Sequence, residues 1–305
     1  MSFTVIGIGE VVWDFLPAGP QLGGAPANFA FHARSFGANG LVVTRIGNDS
    51  LGRDALRRFR AMDVPETTVQ IDDELPTGKV TVALSGPGIP QFTIHENAAW
   101  DRIAVTDLVL AAVRHADAVC FGSLAQRTPE SRDAIQQLVA AAPDKALKLF
   151  DINLRQSFYS PEMIERSLDL ASVLKVNDTE LCVLRDLFSL HGEVRSQMEQ
   201  LAIRFALKVV VLTCGSGISL IYQEGHWSER PSRPVVVADT VGAGDAFAAT
   251  LTMGLLHKWK LNEIHALSAE VARYVCSQAG ATPTLPEEFR ASFDRRPDNP
   301  ILPAV

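Results

Sequence analysis

The stretch that decides the fold lies at residues 23–47, with the sequence GGAPANFAFHARSFGANGLVVTRIG. Its apolar periodicity predicts a helix over residues 25–36 that ends at Gly37, and then a strand over residues 41–46. Residues 3–8 form another short apolar run, so these segments together predict a strand, a helix and a second strand. Such a unit is typical of a parallel β-sheet.

The same alternation continues along the chain. Further strands are predicted at residues 118–121, 147–150, 173–176 and 209–213. Further helices are predicted at residues 54–62, 129–141, 163–170, 179–188, 193–205, 243–256 and 262–277. This order predicts one α/β domain over residues 1–305, with a doubly wound, mostly parallel sheet flanked by helices.

The helical periodicity is lost between residues 64 and 100. Residues 79–84 and 91–95 predict two strands of a hairpin, because glycine and proline lie between them. We expect a small β-sheet lid, contributed by about residues 11–20 and 64–100, that covers an active site. The alternative is a surface hairpin with no role in catalysis.

The composition excludes several classes of protein. The chain has 28 Lys and Arg against 35 Asp and Glu, for a net charge of −7, and 47% of its residues are hydrophobic. Such a chain forms a core, which excludes intrinsic disorder. The acidic balance argues against a nucleic-acid partner, which needs a basic surface. No apolar run reaches the roughly 18 residues of a membrane span, so we expect no membrane partner.

Cysteine spacing and the N-terminus predict a cytoplasmic protein. Cys120, Cys182, Cys214 and Cys276 form no C-x-x-C pair, and each has apolar neighbours. Buried single thiols in a reducing compartment are therefore favoured over a zinc site. The N-terminus has neither a basic region nor a small-residue cleavage site, so we expect no signal peptide.

Two glycine motifs can be set aside. Gly7 and Gly9 follow the first strand, but the third position of the dinucleotide fingerprint is Val12, which argues against a nicotinamide enzyme. No G-x-x-x-x-G-K-[ST] motif occurs, and Gly215 and Gly217 do not have the spacing of a G-x-S-x-G nucleophile elbow.

The segment 239–245, DTVGAGD, is more informative. It lies between residues 235–237, which predict a strand, and a good helix former from Ala246 onwards. Glycines where a loop enters a helix let backbone N–H groups meet a phosphoryl group, and the helix start adds positive charge. Asp245 could then serve as a general base towards an attacking hydroxyl. The alternative is that Asp245 merely caps the helix.

A second glycine cluster opens the helix over residues 25–36. Gly23 and Gly24 allow the close approach of a ligand rich in hydroxyls, and Asn28 offers both a donor and an acceptor. Asp14, after the first strand, could accept hydrogen bonds from sugar hydroxyls. An ordinary turn with an exposed Asp14 is the alternative.

Together these motifs resemble those of the ribokinase-like sugar kinases, the PfkB family. GGAPANFA at residues 23–30 and DTVGAGD at residues 239–245 occur in the family's order and far apart in the chain. Connecting motifs agree along essentially the whole chain, and GGAPANFA with DINLR at residues 151–155 and AAWD at residues 98–101 looks most like bacterial fructokinases. The resemblance implies a ribokinase-like fold and the β-sheet lid.

The resemblance also implies roles for individual residues. The catalytic base is Asp245, and the anion hole is Gly242, Ala243 and Gly244. The implied sugar-binding positions are Asp14, Gly24 and Asn28. The implied ATP-site positions are Asn177, Thr213, Gly215 and Gly217, with Glu180 at Mg²⁺ through water. A monovalent-cation site, for K⁺, is implied at Asp239, Val241, Gly280 and Thr284.

Two of these assignments have structural alternatives. Arg155 lies near the sugar or phosphoryl group in such relatives, and a guanidinium suits a carboxylate or phosphate partner; otherwise it is a surface arginine. Asn177 and Glu180 also fit a helix capping box.

Our hypothesis is an ATP-dependent sugar kinase, in the first place a fructokinase. A kinase for 2-keto-3-deoxygluconate, ribose or tagatose is the alternative, and a non-catalytic sugar sensor is the alternative of another class. Lys79 is the sole Lys or Arg between Asp72 and Asp101, which favours a neutral sugar. We expect a homodimer through the lid, because an exposed sheet edge needs covering.

Overall fold

A computed structural model describes residues 2–16, 19–85, 89–215 and 217–293, and only the backbone of residues 82–85 and 89–92. The link between the two predicted hairpin strands therefore lies partly outside the described residues. The strands are β1 (Thr4–Ile8), β2 (Val12–Leu16), β3 (Gly19–Gly23), β4 (Asn39–Gly47), β5 (Val69–Asp72), β6 (Gly78–Ser85), β7 (Ile89–Ile94), β8 (Ala118–Phe121), β9 (Leu147–Asp151), β10 (Val173–Asn177), β11 (Val209–Thr213), β12 (Ile218–Gln223) and β13 (His226–Pro231).

The helices of the described residues are α1 (Ala25–Ser35), α2 (Ser50–Ala61), α3 (Asp107–Arg114), α4 (Pro129–Ala141), α5 (Pro161–Leu170), α6 (Asp178–Phe188), α7 (Val194–Arg204), α8 (Ala243–Leu256), α9 (Leu261–Cys276) and α10 (Glu287–Arg290). Eight of these ten helices lie where helices were predicted, whereas α3 and α10 were not predicted. None of them is both long and apolar enough to cross a membrane, within the ranges that the structure describes.

A nine-stranded sheet forms the centre of the molecule. Its order is β13-β12-β11-β10-β9-β8-β1-β4-β5, and β11 to β5 are all parallel. The chain adds β4 and β5 on one side of β1, and then β8 to β11 on the other. The direction of strand addition therefore reverses between β1 and β8, and ligands bind at such a reversal in open α/β sheets.

Two apolar layers cover this sheet and confirm the doubly wound α/β class. On one face Ile135 of α4 and Leu184 of α6 pack with the sheet residue Phe150. On the other face Phe29 of α1 and Phe247 of α8 form a second core. Side chains of a parallel sheet covered on both faces are mostly apolar, which explains why its strands are largely short apolar runs.

A second, four-stranded sheet has the order β3-β2-β6-β7. It combines the segment near residues 11–20 with the predicted hairpin, as expected. One part of the expectation was wrong: β5, at Val69–Asp72, pairs parallel with β4 and belongs to the large sheet. The segment from residue 64 to 100 therefore contributes to both sheets.

Three further predictions need correction. Residues 235–237 form no strand, because no strand of the described ranges pairs with them, and Val236 is 90% exposed. The hairpin of β12 and β13 was missed, although Glu224 and Gly225 lie at its turn. Cys182 is exposed on α6, whereas the apolar neighbours of all four cysteines predicted buried thiols.

Candidate active site

Asp245, the predicted catalytic base, lies at the carboxyl edge of the large sheet. A cleft lies there, at the reversal of strand order between β1 and β8. It is lined from β8, β9, α1, α8 and the segment after β1, by residues that include Glu10, Pro26, Cys120, Asp151, Asn153 and Asp245. The geometry of a doubly wound sheet therefore accounts for the position of the cleft.

Helix α8 begins at a turn that fits only glycine. Gly242 has a φ of +80°, and a Cβ added there would lie 2.3 Å from the carbonyl oxygen of Ala281. The Asp239 carboxylate accepts hydrogen bonds from the backbone N–H of Val241 at 3.0 Å and of Gly280 at 3.3 Å, which hold the turn in place. The first N–H groups of a helix lack partners within it, so this end of α8 suits an anion.

Asp245 follows Ala243 and Gly244 in the first turn of α8 and is half-buried. The side-chain amide of Asn28, on α1, donates a hydrogen bond to Oδ2 of Asp245 at 2.8 Å. Burial and the neighbouring Asp151 raise the pKa of Asp245 to about 6, against the opposing effect of that hydrogen bond and of two nearby cations. A carboxylate with such a pKa can take up a proton near neutral pH.

The predicted sugar positions lie where β2 meets the start of α1. Gly24 has a φ of +118°, a Cβ there would lie 2.4 Å from the carbonyl oxygen of Glu10, and its own carbonyl accepts from the N–H of Asn28 at 3.1 Å. Oδ2 of Asp14 lies 2.6 Å from the Cβ position of Gly23. Burial raises the pKa of Asp14 to about 6, so this carboxyl faces a partly desolvated space.

Asn177 and Glu180 form a capping box at the start of α6. Oδ1 of Asn177 accepts from the N–H of Glu180 at 2.8 Å, and Oε2 of Glu180 accepts from the N–H of Asn177 at 2.8 Å. Oε1 of Glu180 accepts from the N–H of Leu154 at 2.9 Å. Burial raises the pKa of Glu180, which is 5% exposed. The structural alternative therefore holds, and Glu180 also fixes the loop after β9.

That loop carries Arg155, whose side chain is exposed. Its guanidinium donates to the adjacent carbonyl of Leu154 at 3.2 Å. Its charge lowers the pKa of Glu10, Asp14 and Asp245 against the larger effect of burial. Arg155 thus lies within electrostatic range of the cleft, although it makes no ion pair across it among the described residues.

The predicted nucleotide positions lie beside Asn177. Thr213 ends β11 directly opposite Asn177 at the end of β10. Gly215 has a φ of +48°, and the N–H of Gly217 donates to the carbonyl of Cys214 at 2.6 Å. Glycines at these positions let the backbone approach a ligand.

Cation ligands are sparse at this edge. In the described part of the chain, no group of three or more His, Cys, Asp or Glu side chains could hold a metal ion. Glu180 has a protein donor on both oxygens, so it fits a hydrated Mg²⁺ through water rather than directly. Asp239 joins Val241 and Gly280, while the carbonyl of Thr284 accepts a hydrogen bond from Tyr274 at 3.2 Å.

Comparison with known proteins identifies the family. The family model described as pfkB family carbohydrate kinase matches residues 19–288. The chain belongs to this family. A sugar kinase of Pyrococcus horikoshii is 30% identical over 242 residues, 77% of this chain and 73% of that protein. The fructokinase of Klebsiella pneumoniae is 28% identical over 276 residues, 87% of this chain and 88% of that protein.

Solved structures of pfkB-family kinases share the fold. The crystal structure of 2-dehydro-3-deoxygluconokinase from Thermotoga maritima superposes with a TM-score of 0.81 at 17% identity, over 96% of this chain and 100% of that one. As a pfkB-family carbohydrate kinase, the protein is a phosphotransferase that acts on a sugar hydroxyl. The alternative of a non-catalytic sugar sensor is therefore not supported.

Two charged residues of this pfkB-family kinase received no role from the sequence. Lys175 lies within β10 and binds Asp151, with Nζ 3.0 Å from Oδ1 and 2.9 Å from Oδ2. Glu10 follows β1 and is 4% exposed, and burial raises its pKa to about 7. A charged residue inside an apolar strand, or directly after one, was the available signal, since such residues are seldom buried without a partner.

Proposed function

We propose that the protein is an ATP-dependent fructokinase. The observation that carries the proposal is the position of Asp245. It lies in the first turn of α8, at the reversal of strand order, and beside the Asn28 amide at 2.8 Å. A base and an anion-binding helix end therefore lie side by side, as transfer of a phosphoryl group to a hydroxyl requires.

In the proposed reaction, Asp245 takes the proton of a primary sugar hydroxyl. The hydroxyl oxygen forms a bond to the γ-phosphorus of ATP as the bond to the ADP oxygen breaks. The backbone N–H groups of Gly242, Ala243, Gly244 and Asp245 stabilise the charge on the transferring group. Asp14, Gly24 and Asn28 bind the sugar hydroxyls, and the small sheet of β3, β2, β6 and β7 covers them.

A neutral ketohexose fits the charges around the cleft. Glu10, Asp14 and Asp245 are acidic, and burial raises the pKa of each. A sugar carboxylate would meet these three acids, whereas sugar hydroxyls can donate to them. The Klebsiella relative is named a fructokinase, which independently supports fructose as the substrate.

One observation favours a second candidate. The guanidinium of Arg155 lies within electrostatic range of the cleft and could pair with a sugar carboxylate. The Thermotoga structure is named for such an acid sugar. A 2-keto-3-deoxygluconate kinase is therefore the second candidate, and ribose and tagatose remain further neutral alternatives.

Cations complete the proposed site. Asn177, Thr213, Gly215 and Gly217 would bind ATP, and Asn177 and Glu180 would hold a hydrated Mg²⁺, which neutralises phosphate charge when bound. Asp239, Val241, Gly280 and Thr284 would hold K⁺ and so stabilise the turn before α8. Turnover measured in K⁺ and then in Na⁺ tests this second site.

A panel of sugars tests the substrate. ADP release is followed with ATP and Mg²⁺ for fructose, 2-keto-3-deoxygluconate, ribose and tagatose. We expect the highest kcat/KM with fructose. A higher value with 2-keto-3-deoxygluconate would replace the proposal by the second candidate.

Substitution of the base tests the mechanism. Asp245→Asn should lower kcat by roughly 10²–10⁴, because a general base contributes that much. It should still fold and bind the sugar, as measured by circular dichroism and calorimetry. Asp144→Asn, at an exposed position far along the chain, is the control. A kcat for Asp245→Asn near that of wild type would show that Asp245 is not the general base.

A homodimer through the small sheet is also proposed. Strands β3 and β7 lie at its two ends, and unpaired strand edges favour association. Phe15 on β2 is 37% exposed and could be covered in this way. Light scattering of the purified protein tests the proposal, which a monomeric mass would contradict.

A further inference from the structure

Lys175 and Asp151 form an ion pair between adjacent strands. They are directly opposite in the register of β10 and β9. Nζ of Lys175 lies 3.0 and 2.9 Å from the two carboxylate oxygens, and both residues are 7% exposed. Burial opposes the charged ammonium, but the charge and hydrogen bond of Asp151, together with the nearby Asp245 and Glu180, outweigh it, so the pKa of Lys175 is raised. Lys175 is thus a charged residue within the sheet.

The pair lies next to the start of α8. A Cβ added to Gly244 would lie 3.3 Å from Nζ of Lys175, and Gly244 directly precedes Asp245. Asp151 lines the same cleft as Asp245. The ammonium is therefore placed between the strand carboxylate and the helix end at which the reaction is proposed.

Fold stability alone does not explain such a pair. A buried ion pair contributes little compared with apolar residues of similar volume, because both charges lose their hydration. The other inward positions of β10, Val173, Leu174 and Val176, are fully buried and apolar. A positive charge beneath a helix N-terminus is also unfavourable by itself, since that end is positive. A buried ammonium at this position is favourable when negatively charged groups lie nearby.

Charged and titratable groups of both signs lie near Asp245. Its titratable and charged neighbours come from β8, β9, β10, the loop after β9 and the segment after β1: Cys120, Asp151, Lys175, Arg155 and Glu10. The neutral Asn28 faces it from α1. Of the two cations, Arg155 is exposed and screened by water, so Lys175 supplies the buried positive charge.

We propose that Lys175 is a positioning residue for the reaction: paired with Asp151, it provides the fixed positive charge that keeps Asp245 ionised beside other buried acids. The inference rests on the proposed role of Asp245 as the base. The two partners act in opposite directions. Lys175 favours the charged carboxylate of Asp245, whereas Asp151 disfavours it. The opposite signs follow from the charges of the two partners, so the titration of Asp245 reports the electrostatic effect of each partner separately.

The test is a titration of Asp245 in the protein without substrates. Carboxyl ¹³C NMR with labelled aspartate, assigned with Asp245→Asn, gives its midpoint directly. Lys175→Met should raise the midpoint by about one pH unit or more, and Asp151→Asn should lower it by a similar amount. Lys148→Met, on β9 but at its far end, should leave the midpoint unchanged.

The pH dependence of turnover with the preferred sugar should shift in the same directions as the titration midpoint of Asp245. The acidic limb of kcat should move to higher pH in Lys175→Met and to lower pH in Asp151→Asn. Because the titration needs no sugar or ATP, it separates this inference from the choice of fructose. A protein that turns over none of the sugars would refute the proposed function, while its NMR midpoints would still test Lys175.

Variants that fold poorly do not block the test. The double variant Lys175→Met with Asp151→Asn removes both charges and avoids an unpaired buried ion. Its midpoint should lie above that of Asp151→Asn alone. Equal midpoints in these two variants would overturn the proposal, as would single variants that both shift in the same direction or leave the midpoint in place.

Discussion

At the residue scale, the cleft is a set of carboxyl groups whose environments differ. Asp245 and Asp14 both have a pKa raised to about 6, and Glu10 to about 7, with burial as the largest cause for each. Only Asp245 lies at a helix N-terminus, where its anionic form is also favoured. The position of Asp245 at a helix N-terminus thus distinguishes it from the other two acids of the cleft.

The raised pKa of Asp245 sets the pH dependence of the reaction. A general base must be ionised, so kcat should be constant above about pH 7 and fall about tenfold per unit below pH 6. Measurement of kcat at saturating fructose from pH 5 to 8 checks this. A flat profile would show that the group which limits the rate does not titrate in this range.

Glu10 should limit stability at alkaline pH. Its pKa is about 7 in the fold against an ordinary 4.5, so its contribution is present below pH 4.5 and is lost as the pH rises through 7. Glu10→Gln should therefore be more stable than wild type at pH 8, by on the order of 2 kcal/mol, and similar at pH 5. Urea unfolding at both pH values measures the difference, with the exposed Glu96→Gln as control.

At the scale of the element, the turn before α8 depends on contacts between segments. Asp239 bonds both Val241 and Gly280, and Gly242 packs on the backbone of Ala281. The two segments are about forty residues apart, so the helix start is defined by tertiary contact as well as by its own glycines. The anion-binding end is therefore a joint product of α8 and the loop after α9.

Gly242→Ala tests that dependence. Gly242 and Gly37 have φ values of +80° and +86°, but only Gly242 would bring a Cβ against backbone, while Gly37 has open space. Gly37→Ala should cost about 1 kcal/mol of unfolding free energy through backbone strain alone. Gly242→Ala should cost more and lower kcat/KM at least about tenfold, because the N–H groups move. Equal effects of the two changes would contradict the packing argument.

At the scale of the whole molecule, the small sheet is held to the large one by a buried cation. Arg127 donates to both carboxylate oxygens of Asp101 at 2.7 Å and to the carbonyl of His95, directly after β7, at 2.8 Å. Its guanidinium also lies 3.8 Å from the ring centroid of Trp100. This cluster fixes the base of the small sheet relative to the cleft.

Loss of this cluster should weaken sugar binding. Arg127→Met leaves Asp101 buried without its partner, which should cost about 3 kcal/mol of stability and raise the KM for the sugar more than that for ATP. Arg102→Met removes an exposed pair with Glu74 and should change neither, since exposed pairs contribute little. Chemical unfolding and initial rates measure both effects. An unchanged sugar KM in Arg127→Met would show that the small sheet is positioned by other contacts.

The sequence by itself determined the alternation of strands and helices, the family and the glycine turn at residues 239–245. These follow from local periodicity and short motifs, which can be recognised in the sequence alone. Helices at Pro129–Ala141 and Ala243–Leu256 were predicted with the bounds that the structure has. The hairpin of the small sheet was predicted for the same reason, since loss of helical period is visible locally.

Only the tertiary structure decided which charges meet. Lys175 and Asp151 are 24 residues apart, and their pairing follows from the parallel register of β9 and β10. Asn28 and Asp245 are 217 residues apart and meet because α1 packs on α8. Burial and the distances between charges set the pKa values, and neither quantity can be predicted from the local sequence. The family could therefore be predicted from motifs, whereas the electrostatics of the cleft required the fold.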